Sequence, residues 1–147
     1  MKAQTVDEKE LLRVFLLDHE HLLTFLEQQK FWLENGKVAR GRKSFRDFLR
    51  LLRVHEEREE RFFEMLLLQL EGRAKRQMEY AEQEHERIKD YVETLEKTYE
   101  RSVRENQKDD TLKFLARKLA DLFEHHALRE ERYFYSRPAG PGLAKES

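Results

Sequence analysis

Two His-x-x-x-Glu units in this sequence have the residue types and the spacing of a metal site. His55 precedes Glu59 by four residues, and His126 precedes Glu130 by four residues. Residues four apart lie side by side on one face of an α-helix, so an imidazole nitrogen and a carboxylate oxygen can reach the same metal ion or pair of ions. A carboxylate can also bridge two ions, which a histidine cannot do. The units therefore suggest metal binding by nitrogen and oxygen ligands.

Three breaks divide the chain into four helices that could position these units. The first break is a basic loop over 35–44, in which Ser44 is expected to be the N-cap residue of the next helix. The second is Gly72 and the third is the polar segment 106–110. The predicted helices lie near 6–34, 44–70, 74–105 and 111–136. Because short connections favour antiparallel neighbours, we expect an all-α protein, an antiparallel up-down-up-down four-helix bundle.

The chain contains an internal repeat that includes the candidate ligands. The second predicted helix recurs 71 positions later in the fourth, and this offset superimposes the two His-x-x-x-Glu units. The first predicted helix recurs 66 positions later in the third, which pairs His19 with His85. The sequence is therefore interpreted as two helical hairpins of similar pattern.

Helical periodicity places one histidine of each helix on its inner face. The apolar stripes at i, i+3 and i+4 spacing extend to His19, His55, His85 and His126. His125 extends the solvent face instead. His21 competes with His19, because it continues a second apolar stripe of the first helix, but the 66-residue repeat favours His19.

Six ionisable groups inside one bundle require a compensating charge. An unpaired buried carboxylate costs roughly several kcal/mol, and two neighbouring carboxylates also repel each other. Metal ions would supply the missing positive charge, and nitrogen plus carboxylate ligands suit iron, manganese or zinc. The predicted metal ligands are His19, His55, Glu59, His85, His126 and Glu130. The structural alternative is a bundle without metal, in which the histidines are ordinary core residues and the HEEREE segment is a solvated face.

The composition restricts the class of protein. Charged residues make up 40% and the hydrophobic set 39% of the 147 residues, with only 5 glycines and 2 prolines, which is typical of an all-helical domain. The absence of cysteine excludes disulfides, thiolate metal sites and iron–sulfur clusters. A net charge of −1 and the lack of a long apolar segment argue against nucleic-acid and membrane partners. We expect a cytoplasmic protein with its bundle over 1–137 and a flexible tail over 138–147.

These motifs resemble the hemerythrin-like (HHE cation-binding) family over nearly the whole chain. The resemblance rests on Asp18-His19, His55-x-x-x-Glu59-Glu60-x-x-Phe63, Glu84-His85 and His126-x-x-x-Glu130-Glu131-x-x-Phe134. It implies an oxo- or hydroxo-bridged pair of iron ions, with the four inner histidines as terminal ligands and with Glu59 and Glu130 as bridges. Glu60 and Glu131 would then point away from the ions or support their ligands.

The third helix departs from the pattern of the oxygen-carrying hemerythrins, which have a second histidine one turn from the first. The candidate positions here are Ala81 and Lys89. One iron should therefore have an open coordination position, for which Glu56 or Glu82 could be an additional ligand. This departure favours a reactive metal centre and argues against a stable, reversible oxygen carrier.

Three functions fit the predicted site. The first is a non-haem di-iron protein that reacts with or senses O2, peroxide or NO, and as an enzyme it would be an oxidoreductase or peroxidase-like. The second is an iron or oxygen sensor, or an O2-binding carrier, without turnover. The third is the structural bundle without metal. The expected cofactor is two iron ions, with zinc or manganese as alternatives, and the expected partner is a small diatomic or peroxide ligand bound by a monomer or homodimer.

Overall fold

A computed structural model describes residues 2–67, 72–105 and 110–132. These residues form the helices α1 (Lys2–Glu34), α2 (Val38–Leu67), α3 (Arg73–Glu105) and α4 (Asp110–Glu130). The prediction of an all-α four-helix bundle with an up-down-up-down arrangement is confirmed. No helix in the described ranges is long and apolar enough to cross a membrane. The predicted tail over 138–147 and the Phe134 of the sequence motif lie outside the described residues.

A tight turn at Gly36 connects α1 to α2. Gly36 has a φ of 72°, a left-handed conformation that costs a side chain steric energy but costs glycine little. The amide of Gly36 donates to the carbonyl of Leu33 at 3.1 Å, and the amide of Lys37 donates to the carbonyl of Trp32 at 2.7 Å. This pair of hydrogen bonds is a Schellman motif, which satisfies the last carbonyls of α1.

The predicted loop over 35–44 was wrong, and so was the prediction that Ser44 is an N-cap residue. α2 already begins at Val38, and Ser44 is buried well inside it. Gly41, which suggested a loop, lies where α1 comes close: a Cβ at this position would be 3.1 Å from Leu33 Cδ2. The small residue therefore marks a close contact between helices and not a break.

The other two predicted breaks coincide with helix starts. Gly72 has a φ of 60° immediately before α3, and its carbonyl accepts the amide of Arg76 at 3.1 Å. Asp110 is the first residue of α4, where its negative charge favours the helix N-terminus. Beyond Glu130, Glu131 and Arg132 continue α4 as a π-helical turn.

The apolar core is divided by the level at which the inner histidines lie. The larger cluster fills the end of the bundle nearer the α1–α2 connection and includes Leu22, Phe48, Ile88, Tyr99 and Phe123. The smaller cluster lies at the other end and consists of Phe15, Phe62, Phe63, Met78 and Ala81. Polar groups between two apolar layers are kept from bulk water, which strengthens every charge interaction among them.

The four helices do not pack equally closely. α1 packs along α2 and α4, and α3 packs along α4, whereas α2 and α3 diverge. The space between α2 and α3 is a groove of about 830 Å³ that reaches inward to His85. The bundle therefore has one open side at the level of the inner histidines.

Candidate metal centre

The six predicted ligand residues come together in the middle of the bundle. Each helix contributes one histidine, and α2 and α4 each add a glutamate one turn later. Five of the six residues are 2% exposed or less: His19, His55, Glu59, His126 and Glu130. The exception is His85, whose side chain is 23% exposed where it borders the groove.

The ligand atoms form two groups with shared members. The groups are His19, His55, Glu59 and Glu130, and Glu59, His85, His126 and Glu130, each with its ligand atoms within 4.8 Å of one another. We name them the α1/α2 position and the α3/α4 position, after the helices that supply their histidines. Because Glu59 and Glu130 belong to both groups, the two positions are adjacent and share both carboxylates.

Each shared carboxylate directs one oxygen to each position. Glu130 Oε1 lies 3.2 Å from His19 Nε2, while its Oε2 lies 3.1 Å from His85 Nε2. Glu59 repeats this arrangement, because its Oε2 lies 3.2 Å from His55 Nε2 and its Oε1 lies 3.3 Å from His85 Nε2. Both carboxylates therefore direct their two oxygens to different groups of histidines.

The distances between the candidate ligand atoms are those expected for ligands of one metal ion. Ligands held at about 2.1 Å from one ion lie roughly 3 Å apart in neighbouring positions, and His126 Nε2 lies 2.9 Å from Glu130 Oε2. The Nε2 atoms of His55 and His126 are buried, and neither makes a regular hydrogen bond among the described residues. Imidazole nitrogens directed at metal ions would have this environment, so the donor set fits a pair of ions.

Buried acids on neighbouring helices orient two of the histidines. Asp18 Oδ2 accepts the Nδ1–H of His55 at 2.9 Å and a hydrogen bond from Arg58 at 3.3 Å. A carboxylate only accepts, so the proton is assigned to Nδ1, and Nε2 is left to face the centre. The repeat reproduces this contact in the other hairpin, where Glu84 accepts from His126 Nδ1 at 2.8 Å and from Arg129 at 3.3 Å.

A third carboxylate supports His19. Glu131 Oε2 accepts the Nδ1–H of His19 at 2.9 Å, so one of the doubled glutamates contacts a candidate ligand, and its supporting role stays a prediction. The supporting roles of Asp18 and Glu84 were missed by the sequence analysis. The signal was present, because each of these acids directly precedes an inner histidine and the two are 66 residues apart.

The charges of the cluster shift the pKa values of its histidines. Burial alone would lower the pKa of His55, but the hydrogen bond to Asp18 and the negative charge of nearby Glu59 raise it to about 10. Burial opposes the same effect at His85, where Glu130 and Glu59 raise the pKa to about 11. At His126, the charge of Glu130 outweighs burial and raises the pKa to about 9.

The pKa values of two carboxylates are lowered by the neighbouring positive groups, and that of a third is raised by burial. Burial would raise the pKa of Glu130, but the neighbouring histidines hold it well below its ordinary value. Glu84 behaves similarly, because His126 and Arg129 outweigh its burial and lower its pKa. Glu56 differs: burial is the largest influence and raises its pKa. The cluster is thus strongly coupled, and protons compete with metal ions for it.

The alternative ligands belong to neither group of ligand atoms. His21 and His125 are exposed, as is Glu82, while the small side chain of Ala81 is fully buried. Glu56 is half-buried and borders the groove beside His85. The structure brings the six preferred residues together and leaves His21 outside; their role as metal ligands stays a prediction.

Comparison with known proteins identifies the family. The family model of the hemerythrin HHE cation-binding domain matches residues 10–137, which is most of the chain. Searches among curated proteins and among solved structures gave no match. The match includes α1 from residue 10 onward, the other three helices and every residue of the candidate centre. The chain therefore belongs to the hemerythrin HHE cation-binding domain family.

Proposed function

We propose that this chain is a non-haem di-iron protein that reacts with or senses O2, peroxide or NO. The observation that carries the proposal is the orientation of Glu59 and Glu130, which each direct one oxygen to each of two histidine pairs. Membership of a cation-binding family supports it. His19 and His55 would hold one iron, and the histidines of α3 and α4 the other.

Bound iron would supply redox chemistry and Lewis acidity. The residues of the chain hold and shield the centre. Phe15 packs edge-on against His55, with ring centroids 5.4 Å apart, and Phe123 packs edge-on against His19 at 5.9 Å. These rings fill the space behind the imidazoles with apolar surface, so water reaches the centre poorly from the two ends of the bundle.

The α2/α3 groove is the side from which a small ligand would approach. Ala81 occupies a position where a second α3 histidine would have to stand, and it offers no ligand atom. His85 borders the groove and is the most exposed of the six residues. An open coordination position on this side would suit a diatomic or peroxide ligand.

A sensor or carrier without turnover is the second candidate function. It is favoured by the burial of five ionisable ligand residues, because folding around such a set should depend on metal occupancy. Cytoplasmic location, the absence of nucleic-acid partners and a monomeric or homodimeric state stay predictions from the sequence.

Metal analysis with optical spectroscopy tests the proposed function. The protein would be loaded with ferrous iron without oxygen, desalted and exposed to air. We expect about two irons per chain and oxo-to-iron charge-transfer bands in the near ultraviolet. His126→Ala should lower the iron content, whereas His125→Ala, a change in the exposed neighbouring histidine, should not.

The outcomes separate the candidate functions. Two zinc or manganese ions would preserve the site but contradict the iron chemistry. Retention of no metal would favour the structural bundle. Addition of peroxide or NO to the iron-loaded protein then distinguishes turnover from simple binding: repeated consumption of peroxide indicates an enzyme, and a single stoichiometric change indicates a sensor or carrier.

A further inference from the structure

The hydrogen bonds from carboxylates to the Nδ1 atoms of the inner histidines follow the internal repeat, except at one histidine. Asp18 with His55 and Glu84 with His126 are equivalent contacts in the two hairpins. Glu131 supports His19, and the 66- and 71-residue offsets make Glu60 and His85 the equivalent pair. The repeat therefore predicts four supported histidines.

The fourth contact is not formed. Glu60 is exposed, and no hydrogen bond joins it to His85 or engages His85 Nδ1 within the described ranges. The physical reason is the divergence of α2 and α3, since the equivalent pair lies across the close α1–α4 contact. Among the described residues, His85 is consequently the one inner histidine whose Nδ1 has no hydrogen-bond partner.

The groove leads to this unsupported histidine. Four residues line both the outer groove and the narrow cavity that contains the ligand atoms: Leu52, Glu56, His85 and Ile88. Leu52 and Ile88 are buried apolar residues, whereas His85 is partly exposed. Movement of the His85 ring would therefore connect the α3/α4 position with solvent.

We infer that the two metal positions differ in lability, and that the ion at the α3/α4 position exchanges first, through the α2/α3 groove. The inference rests on the proposed function, in that it assumes a site for two ions. The chain then has a long-lived form with one ion, held at the α1/α2 position by His19 and His55. Binding of the second divalent ion becomes the step that responds to the concentration of free metal.

Two physical effects support this order. A ligand imidazole without a hydrogen-bond partner on its other nitrogen is less well oriented, and loss of such partners typically weakens metal affinity by about 10- to 100-fold. After the first ion leaves, the remaining ion no longer faces a second positive charge. It also keeps the oxygens of Glu59 and Glu130 on its side, so its departure is slower.

Chelator-driven metal loss measures the two rates. Protein loaded with two ferrous ions, or with two zinc ions as a redox-inert probe, is mixed with excess chelator without oxygen, and the metal released is followed with time. We expect two phases of one ion each, with rates that differ by at least about tenfold. Circular dichroism at each stage would show whether the helices remain intact.

Variants at the repeat-related glutamates identify which position each phase reports. Glu131→Gln should accelerate the slow phase by about tenfold, because it removes the charged partner of His19. Glu60→Gln is the matched control, since it makes the same change at the equivalent but exposed residue, which lines the groove, and it should leave the slow phase unchanged. His85→Ala should abolish the fast phase and leave one slowly released ion.

A second pair of variants tests the route. Leu49→Trp adds bulk to the groove wall and should slow the fast phase severalfold without affecting the slow phase. Leu23→Trp makes the same change on the surface cleft between α1 and α2 and should leave both phases unchanged. Equal effects of the two variants would contradict exchange through the α2/α3 groove.

Other results would overturn the inference. Loss of both ions in one phase would show that the positions are equivalent, and acceleration of the fast phase by Glu60→Gln would show that Glu60 supports His85 in solution. Both results are compatible with a site for two ions and therefore do not contradict the proposed function. A protein that never holds more than one ion would overturn the proposed function and the inference together.

Discussion

Carboxylates on neighbouring helices decide the direction in which the inner histidines point. A neutral imidazole has two tautomers, and a carboxylate that accepts the Nδ1–H selects the one with an unprotonated Nε2. Asp18 makes this contact to His55, and Glu131 makes it to His19. The candidate ligands are therefore oriented by protein groups, and loss of the Nε2 proton would leave that nitrogen free to bind an ion.

The shared carboxylates should affect both ions. Glu59→Gln and Glu130→Gln each remove the negative charge from a residue that belongs to both positions. We expect each variant to weaken the binding of both ions by at least about tenfold, whereas His19→Ala should weaken mainly one. Competition with a chromophoric chelator would measure the affinities, and selective loss of a single ion in Glu130→Gln would contradict a bridging role.

Metal binding should release protons. The pKa values of His55, His85 and His126 are about 10, about 11 and about 9 when only protein groups surround them. These imidazoles are therefore protonated at pH 7 in the metal-free protein and must lose a proton to bind metal. We expect release of about three protons on full loading, measurable by calorimetry in buffers of different ionisation enthalpy. Release of fewer than one proton would contradict this.

The same raised pKa values give the metal-free protein a pH-dependent stability. Because the folded-state values lie above the ordinary value of 6.5, protonation stabilises the fold fully below pH 6.5, and this contribution is lost as pH rises through about 9 to 11. Urea unfolding of the metal-free protein should therefore show a lower free energy of unfolding at pH 10 than at pH 6. A matched measurement on His125→Ala, with its exposed histidine removed, should show the same trend.

At the scale of the helices, two glycines determine how α1 and α2 pack. Gly36 ends α1 in a left-handed conformation, and Gly41 allows α1 to approach α2 near Leu33. The hairpin that results brings Asp18 of α1 within hydrogen-bond distance of His55 of α2. The connection therefore contributes to the geometry of the centre although it lies far from it in sequence.

Replacement of Gly36 should destabilise the hairpin through backbone strain. No atom lies within 4 Å of a Cβ at this position, so space is not the obstacle. Gly36→Ala should lower the free energy of unfolding by about 1 kcal/mol, because alanine adopts a positive φ at a cost of roughly 1–2 kcal/mol. Gly36→Asn should cost less, since asparagine tolerates this conformation. Urea unfolding at a fixed metal concentration would compare them, and equal stability of all three proteins would contradict the strain.

At the scale of the whole molecule, metal should stabilise the bundle. The five most buried candidate ligands carry ionisable groups, whose burial is unfavourable without a compensating charge. An ion that binds only the folded state adds about 4 kcal/mol to the free energy of unfolding when its free concentration is about 1,000 times its dissociation constant. For a domain of this size that corresponds to roughly 8–16 °C in Tm. Thermal unfolding with and without chelator would measure it, and a difference within a degree or two would contradict metal-linked folding.

The sequence alone was enough to predict the four-helix bundle and the inner faces on which the candidate ligand residues lie. A His-x-x-x-Glu unit lies within one helix, so its geometry follows from 3.6 residues per turn and needs no knowledge of the neighbours. The same periodicity separated His126 from the exposed His125. Loop composition was less informative, because Gly41 and Ser44 are equally compatible with a turn and with a close contact between helices.

Only the tertiary structure decided which groups surround the ligands. Whether Glu131 reaches His19 while Glu60 fails to reach His85 depends on the separation of two different helix pairs. Interhelical distance is set by packing across the whole interface, and two sequences related by repeat can pack differently. The open α2/α3 side and the unsupported His85 are therefore properties of the assembled bundle, whereas the positions of the ligands along each helix are properties of the chain.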